Sequence, residues 1–342
     1  MNNKRLFELD ALRGLAALAV VCYHYFYRYD AIYGHKNIPI AWSQPGKLGV
    51  ELFFMVSGFV IFWTLNRVEK PLDFIVSRFS RLYPAYWCAL TITFTTVFLF
   101  GLPGREVSIS DALLNVLMFH EYLDVRHVDG VYWTLTVELT FYFWMFILYL
   151  TSRIDKVEGV FIFLIIISVL HSFEILNVPI LIYKILMLRY LPFFMAGICF
   201  YKIINKDSIL VSVGILLLSL ISTIAIYSLK HFIIFSIFYG VFYLALSGRM
   251  KFLSFKPLVF MGSISYSLYL IHSNIGFVII NKFYEMQWNP LLAILSSVFT
   301  SILLATIISK YIEMPLLKYI RTYYKENKNT STTTTQSDNI QQ

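Results

Sequence analysis

The chain alternates between long apolar runs and short charged breaks from Ala11 to Tyr311. Most runs hold about 17 to 25 residues, and a helix needs roughly 20 to cross a hydrocarbon core about 30 Å thick. The pattern therefore predicts an all-α, polytopic transmembrane helical bundle. We expect about ten membrane-spanning helices, at residues 11–27, 49–65, 84–101, 131–150, 159–172, 180–200, 208–228, 232–247, 257–280 and 290–312.

The basic residues give these helices an orientation, because Lys and Arg collect on the cytoplasmic side of a membrane protein. With the N-terminus placed inside, 17 of the 28 basic residues lie in inner segments, seven in outer segments and four within helices. We therefore expect both termini in the cytoplasm and a membrane domain over residues 1–324. The polar, low-complexity segment 325–342 predicts a disordered cytoplasmic tail.

The composition agrees with a chain that is solvated by lipid. Hydrophobic residues make up 58% of it, charged residues 14%, and the mean hydropathy is +0.68. The net charge is +8, yet the basic residues lie in short connections instead of on one continuous face, so nucleic acid is not an expected partner. The three cysteines fall inside apolar runs, without the spacing of a disulfide framework or a zinc site. We expect no metal.

Ionisable residues inside the predicted spans are the candidates for function, because such a group costs several kcal/mol at bilayer depth unless it is paired or used. The set comprises Asp10, Arg13, His24, Glu51, Glu138, Lys184, Arg189, His272 and Glu313.

Arg13 and His24 are predicted to share one face of the first helix. Eleven residues separate them, which corresponds to three turns plus about 20° and an axial distance of about 16 Å. The guanidinium would then lie near the cytoplasmic mouth and the imidazole in the outer third of the bilayer, lining one cavity. In the alternative, Arg13 only pairs with Asp10 while His24 satisfies a hydrogen bond in the core.

Arg78 and Arg81 are three residues apart in RFSRLYPAYW, a spacing that puts two guanidiniums on one helical face and suits a cluster of phosphates. Ordinary anchoring at the cytoplasmic surface is the alternative. Glu138, in WTLTVELTFYF, is predicted to orient His24 or to accept a proton from a hydroxyl. A structural pair with Arg189 is the alternative for this carboxylate.

Three further residues are weaker candidates for contacts with a substrate: Glu51, Arg189 and His272. Glu51 is at a depth similar to that of His24, but a carboxylate at a helix start is also common without a function. His272 has several serines and an asparagine nearby, which is typical of a histidine satisfied within the core. We expect Glu313 to pair with a cytoplasmic arginine.

These segments together resemble the acyltransferase-3 family of bacterial integral-membrane acyltransferases, from Leu9 to about Leu317. The matching elements, in family order, are LDALRGLAALAVVCYHYF, GVELFFMVSGFVI, RFSRLYPAYW, WTLTVELTFYF, LRYLPFFMAGICFY, GSISYSLYLIH and the E-x-P segment at Glu313. The resemblance implies an enzyme of the plasma membrane. It would transfer an acyl group, commonly acetyl, from cytoplasmic acyl-CoA to a hydroxyl of an envelope or extracellular glycan or a lipid-linked saccharide.

By position, the resemblance assigns Arg13 and His24 to the essential pair of the family, and Arg78 and Arg81 to the contact with the CoA phosphates. The 16 Å between the first two would match an extended pantetheine arm. Met314 replaces an arginine that is frequent in the family, which puts the ionic role of that motif in doubt. We leave open whether His24 acts as a general base or carries the acyl group. A transporter or flippase with an intramembrane Arg/His/Glu path is the alternative function.

Overall fold

The computed structural model describes residues 6–35 and 38–340, with side chains as far as Lys328. Within these ranges the chain is helical and contains no β-strand. Eight helices of the described part of the chain are long and apolar enough to cross a membrane. The prediction of a polytopic helical bundle is therefore confirmed.

Ten main helices, numbered α1 to α10 here, correspond to the ten apolar runs. α5 and α6 are shorter than the eight membrane-length helices, so the count of ten crossings and the orientation stay predictions. The helices are α1 Phe7–Tyr33, α2 Gly49–Leu65, α3 Pro71–Phe100, α4 Trp133–Leu150, α5 Val157–Ser172, α6 Leu191–Ile204, α7 Ile209–Ile226, α8 Leu229–Leu246, α9 Lys256–Glu285 and α10, which runs from Pro290 to Ile340.

The prediction of one helix over residues 180–200 is wrong, because the structure has a short helix Ile180–Ile185, a turn, and then α6. Pro192 explains the break. A proline has no N–H, and within a continuous helix its ring would clash with the carbonyl of residue 188. Pro192 instead occupies the first turn of α6, where the missing donor costs nothing.

The last helix extends further than the sequence predicts. The predicted end is residue 312, whereas α10 continues to Ile340; the disordered cytoplasmic tail over residues 325–342 stays a prediction. Adding residues to an existing helix avoids the cost of nucleation, and the apolar part of α10 supplies that nucleus. The tail beyond residue 340 lies outside the described residues.

Glycines bring the functional helices together. A Cβ on Gly14 would lie 2.7 Å from the backbone of α9, and a Cβ on Gly262 would collide with the Asp10 carbonyl of α1. These two positions therefore require glycine, and α1 packs more extensively on α9 than on any other helix. Gly58 of α2 makes a similar close approach to the backbone of Phe194 of α6.

Two helices contain a π-helical segment. The first, Tyr23–Arg28, interrupts α1 and contains His24; the second, Ser309–Glu313, interrupts α10 and contains Glu313. Such insertions widen the turn and change which side chains face a neighbour, and they are frequent at functional sites. In both helices the interruption falls on a residue that the sequence singles out.

Candidate functional site

His24 and His272 form a pair between α1 and α9. His272 Nε2 lies 3.1 Å from His24 Nδ1, and the two rings meet edge to face with their centroids 4.8 Å apart. His272 is fully buried, whereas His24 lies partly open to a cavity. His272 thus lies behind His24, and His24 is the histidine that lines the cavity.

The partners of the two rings determine where their protons lie. His272 Nδ1 is 2.9 Å from the Tyr269 carbonyl and 3.1 Å from the Leu268 carbonyl, and a carbonyl only accepts, so Nδ1 carries hydrogen. The Nε2 atom of neutral His272 is then an acceptor. His24 Nδ1, 2.9 Å from the Val20 carbonyl, also carries hydrogen and is shared between that carbonyl and His272. His24 Nε2 is therefore left with a lone pair, as a general base requires.

Tyr25 fixes the two helices next to this pair. Its hydroxyl donates to the His272 carbonyl at 2.6 Å and lies 2.6 Å from the Ser301 hydroxyl of α10. Its ring packs directly on Gly276, where a Cβ would collide with it. This buried contact holds α1, α9 and α10 in register around the histidines.

His24 lines the first of two neighbouring cavities, which we call the histidine cavity. Glu51 and Arg189, both predicted from the sequence, line it too. Arg189 also lies over the ring of Tyr227, 4.6 Å from its centroid. The other charged residues and histidine of the lining are Arg28, Lys47, Arg105 and His231.

The second cavity is the arginine cavity: Arg13, Arg78 and Arg81 all line it. The prediction that the last two share a face is therefore confirmed. Arg13 lies 3.8 Å from Asp10, the pairing given above as an alternative role, but it still reaches the cavity. Three cations around one cavity suit a ligand with several phosphates.

Arg81 and Arg78 differ in how they are held. Arg81 forms a close ion pair with Glu313, and the other oxygen of this fully buried carboxylate accepts a hydrogen bond from Ser267 at 2.6 Å. The predicted pairing of Glu313 with an arginine is thus confirmed, although Met314 follows it. The buried Nε of Arg78 has no hydrogen-bond partner among the described residues, so this donor is available to a ligand.

Glu138 lies in the arginine cavity and does not contact His24. Its Oε1 accepts hydrogen bonds from Ser57 at 2.8 Å and from Tyr142 at 2.5 Å. The predicted contact with His24 is therefore wrong within the described part of the chain, and the alternative pairing with Arg189 does not form either. The physical reason is packing: Glu138 faces the cavity of the arginines, and His272 of α9 takes the place beside His24.

The two cavities adjoin at Val50 and Tyr269, which line both. The Tyr269 hydroxyl is held in place because it donates to the Val131 carbonyl at 3.2 Å and accepts from Thr134 at 2.9 Å. The prediction that Arg13 and His24 line one cavity is therefore wrong: Arg13 lines the arginine cavity, His24 lines the histidine cavity, and the two cavities have a common wall. The side chains of Val50 and Tyr269 form that wall.

A second histidine pair lies in the connection between α3 and α4. His120 Nε2 is 2.6 Å from His127 Nδ1, and His120 is fully buried. Burial, together with the neighbouring His127, lowers the pKa of His120 to about 4, and burial also lowers the pKa of His127. Both rings are consequently neutral near pH 7.

Sequence reasoning missed several residues of the site. Arg28 follows His24 by one turn, a spacing that could have signalled a shared wall. Arg105 is brought in by the connection between α3 and α4, where it donates to Asn274 at 3.0 Å, and no local pattern signals such a contact. Arg321 of α10 donates to Ser77 and Ser80 beside the arginine cavity and interacts electrostatically with Arg78 and Arg81.

Comparison with known proteins agrees with this arrangement. The model of the acyltransferase-3 family, described as an acyltransferase domain, matches residues 6–310. The chain belongs to this family. It is therefore a multi-pass membrane protein of an acyltransferase family, which confirms the resemblance drawn from the motifs.

The individual relatives share between 25% and 29% of their residues with this chain over the matched regions. ORF330 of Acidianus two-tailed virus is 25% identical, over 78% of this chain and 82% of the relative. The O-acetyltransferase OatA of Staphylococcus aureus is 26% identical, over 91% of this chain and 57% of the relative. The peptidoglycan O-acetyltransferase OatA of Listeria monocytogenes is 29% identical over 27% of this chain. The chain thus spans little more than half the length of the Staphylococcus relative, and no solved structure matches it.

Proposed function

We propose that the chain is an O-acetyltransferase that moves an acetyl group from cytoplasmic acetyl-CoA to a hydroxyl of an envelope glycan, across a bacterial plasma membrane. The observation that carries the proposal is the pair of adjoining cavities. One has three cations around it, and the other has a histidine nitrogen that is free to accept a proton. The names of the OatA relatives, one of them a peptidoglycan O-acetyltransferase, support the acetyl group and the glycan.

The donor binds on the side of the arginines. Arg78, with its unpartnered Nε, and Arg13 contact the phosphates of CoA, and Arg81 adds charge while it remains paired with Glu313. The pantetheine arm then follows the cavity toward Val50 and Tyr269. The axial distance of about 16 Å between Arg13 and His24 suits this arm, so the thioester reaches the wall between the cavities.

His24 acts on the acceptor hydroxyl in the histidine cavity. Its Nε2 takes the hydroxyl proton while the oxygen attacks the thioester carbonyl carbon, the C–S bond breaks, and the imidazolium returns the proton to the CoA thiolate. His272 accepts the hydrogen bond of His24 Nδ1 and so stabilises the imidazolium. In the covalent alternative, Nε2 attacks the thioester carbonyl carbon and CoA leaves as the thiolate. The acceptor hydroxyl then attacks the acyl-histidine carbonyl carbon, its proton passes to the thiolate, and the bond to Nε2 breaks.

Glu138 works on the donor side in this scheme. Ser57 and Tyr142 fix its carboxylate in the arginine cavity, where it accepts a hydrogen bond from an amide N–H of the pantetheine arm. It is thus a residue that positions the thioester, and its distance from His24 explains why it takes no part in the proton transfer.

The test uses the purified protein in nanodiscs with labelled acetyl-CoA and soluble peptidoglycan fragments. We expect the protein to release free CoA and to attach base-labile label to the glycan, and we expect His24→Ala to abolish both. The thermal unfolding transition of the variant, compared with that of the unmodified protein, checks that it is folded. A matched control is His171→Ala, at the end of α5, which should keep the activity. Transport of a solute without release of CoA would favour the transporter alternative, and full activity of His24→Ala would overturn the proposal.

A further inference from the structure

The histidine cavity has an unusual distribution of charge. Arg28, Lys47, Arg105 and Arg189 line it, against the single carboxylate of Glu51. Among the described residues, none of the four cations forms an ion pair with a carboxylate. A walled cavity with uncompensated charge of one sign concentrates ligands of the opposite sign.

The cations approach the cavity from different parts of the fold. Arg28 ends the π-helical segment of α1, Lys47 precedes α2, Arg105 follows α3, and Arg189 precedes α6. Arg105 is held by its hydrogen bond to Asn274 and by its position 5.1 Å from the centroid of the Phe277 ring. Since charges from four separate elements meet at the cavity, their cluster is not a stripe along one helix.

Glu51 gives an independent indication of a ligand. It is 7% exposed, and its buried Oε2 has no hydrogen-bond partner among the described residues. A buried acceptor without a partner costs about 1 to 3 kcal/mol, so a donor from a ligand would be favoured there. A sugar hydroxyl is such a donor, and Glu51 lines the same cavity as His24.

We propose that the histidine cavity selects an anionic saccharide, whose carboxylate or phosphate binds the cations while one of its hydroxyls donates to Glu51. This inference rests on the proposed function and names the class of its acceptor. A phospholipid headgroup also carries a phosphate, but the saccharide has the additional hydroxyls that Glu51 and His24 require. The donor phosphates already have the three arginines of the other cavity.

Binding is measured first, so that it does not depend on turnover. The protein in phosphatidylcholine nanodiscs is titrated with N-acetylglucosamine, with N-acetylmuramic acid, which adds a carboxylate, and with N-acetylglucosamine 1-phosphate. We expect the two anionic sugars to bind at least about tenfold more tightly than the neutral one, with a difference that shrinks as salt is raised. Equal binding of all three would overturn the inference. Which anion binds best distinguishes a carboxylate site from a phosphate site.

Variants locate the binding. Lys47→Gln and Arg28→Gln should lower the ratio of anionic to neutral binding by about tenfold. The matched control is Lys230→Gln, which should leave the ratio unchanged. Lys230 is exposed, as Lys47 is, and it precedes His231 in the sequence, but it does not line the cavity. Equal loss in the control and in the cavity variants would contradict the inference. Nanodiscs with phosphatidylglycerol should not displace the sugars, and displacement would assign the cations to lipid instead.

Transfer of label from acetyl-CoA then separates this inference from the proposed function. Selective binding of anionic sugars without any transfer would leave the inference standing and remove the O-acetyltransferase. Transfer to N-acetylglucosamine at the same kcat/KM as to N-acetylmuramic acid and to the 1-phosphate would keep the enzyme and overturn the anionic acceptor.

Discussion

His272 Nε2 accepts a hydrogen bond from His24 Nδ1 over 3.1 Å, and this contact sets the chemistry of the site. In the proposed mechanism this neutral imidazole helps the Val20 carbonyl to hold the tautomer and the orientation of His24, as a carboxylate does for the base in many hydrolases. The difference is that it brings no negative charge into the bilayer, where an unpaired carboxylate is costly.

Substitution of His272 should therefore lower kcat more than it changes KM. We expect His272→Leu to reduce kcat by about a hundredfold, because the Nδ1 hydrogen of His24 keeps only the Val20 carbonyl as acceptor, so the ring is less well oriented and its imidazolium less stabilised. His272→Gln should retain more activity, since its amide oxygen can accept from His24 Nδ1. Steady-state kinetics against donor and acceptor separate the parameters, and a wild-type kcat in His272→Leu would refute the positioning role.

Loss of Arg81 should destabilise the protein more than loss of Arg78. Arg81→Gln leaves the buried Glu313 without its counter-ion, which costs about 3 kcal/mol or more for a buried pair. Arg78→Gln leaves no such charge and serves as the matched variant. Thermal unfolding in detergent compares them, and the double variant Arg81→Gln/Glu313→Gln should recover part of the loss. Equal transitions for the two single variants would contradict the pairing.

A bulky side chain at the wall between the cavities should uncouple donor binding from transfer. Val50→Trp is expected to lower transfer by more than about a hundredfold while CoA still binds through Arg13 and Arg78, since only the passage is blocked. Ile61→Trp, on the same helix and lining the arginine cavity alone, should instead weaken CoA binding. Calorimetric titration with CoA and the transfer assay measure the two effects. Transfer unimpaired in Val50→Trp would mean that the acyl group takes another route.

Acid should destabilise the connection that contains His120 and His127. Because burial lowers both pKa values, that of His120 to about 4, the folded protein binds fewer protons than the unfolded chain at pH values between about 4 and 6.5. Stability from this pair is present above about pH 6.5 and is lost as the pH falls. We expect the thermal transition to drop by a few degrees from about pH 7.5 to about pH 5, and His120→Phe to reduce that drop. An unchanged pH dependence in His120→Phe would show that another group titrates.

Much of the fold followed from apolar runs, because a bilayer permits few structures other than helices of membrane length. The high cost of an ionisable group at bilayer depth selected the candidate site residues. Of these, Arg13, His24, Glu51 and Arg189 all line a cavity. Sequence reasoning misplaced Glu138, since sequence gives the depth of a residue along a helix but not the helix that packs against it. The pairing of His24 with His272, which are 248 positions apart, depends on the crossing of α1 and α9 at Gly14 and Gly262.

Two features had no local signal. The π-helical segments at Tyr23–Arg28 and Ser309–Glu313 carry no recognisable mark in the sequence, and the shared helical face of Arg13 and His24 did not reveal that two cavities lie along it, one lined by each residue. Arg189 was a candidate from the sequence, but Arg28, Lys47 and Arg105 lie in outer segments whose basic residues were counted only for their side of the membrane. Their convergence is a property of the folded connections and not of any single segment.

The passage of an acyl group between the cavities is tested most directly in sealed vesicles that hold the protein in one orientation. Labelled acetyl-CoA is supplied on the side of Arg78, and a membrane-impermeant glycan acceptor is supplied on the side of Arg28. The account predicts labelled acceptor from the unmodified protein and none from His24→Ala or Val50→Trp. Label that reaches the acceptor only when it shares a compartment with acetyl-CoA would contradict it.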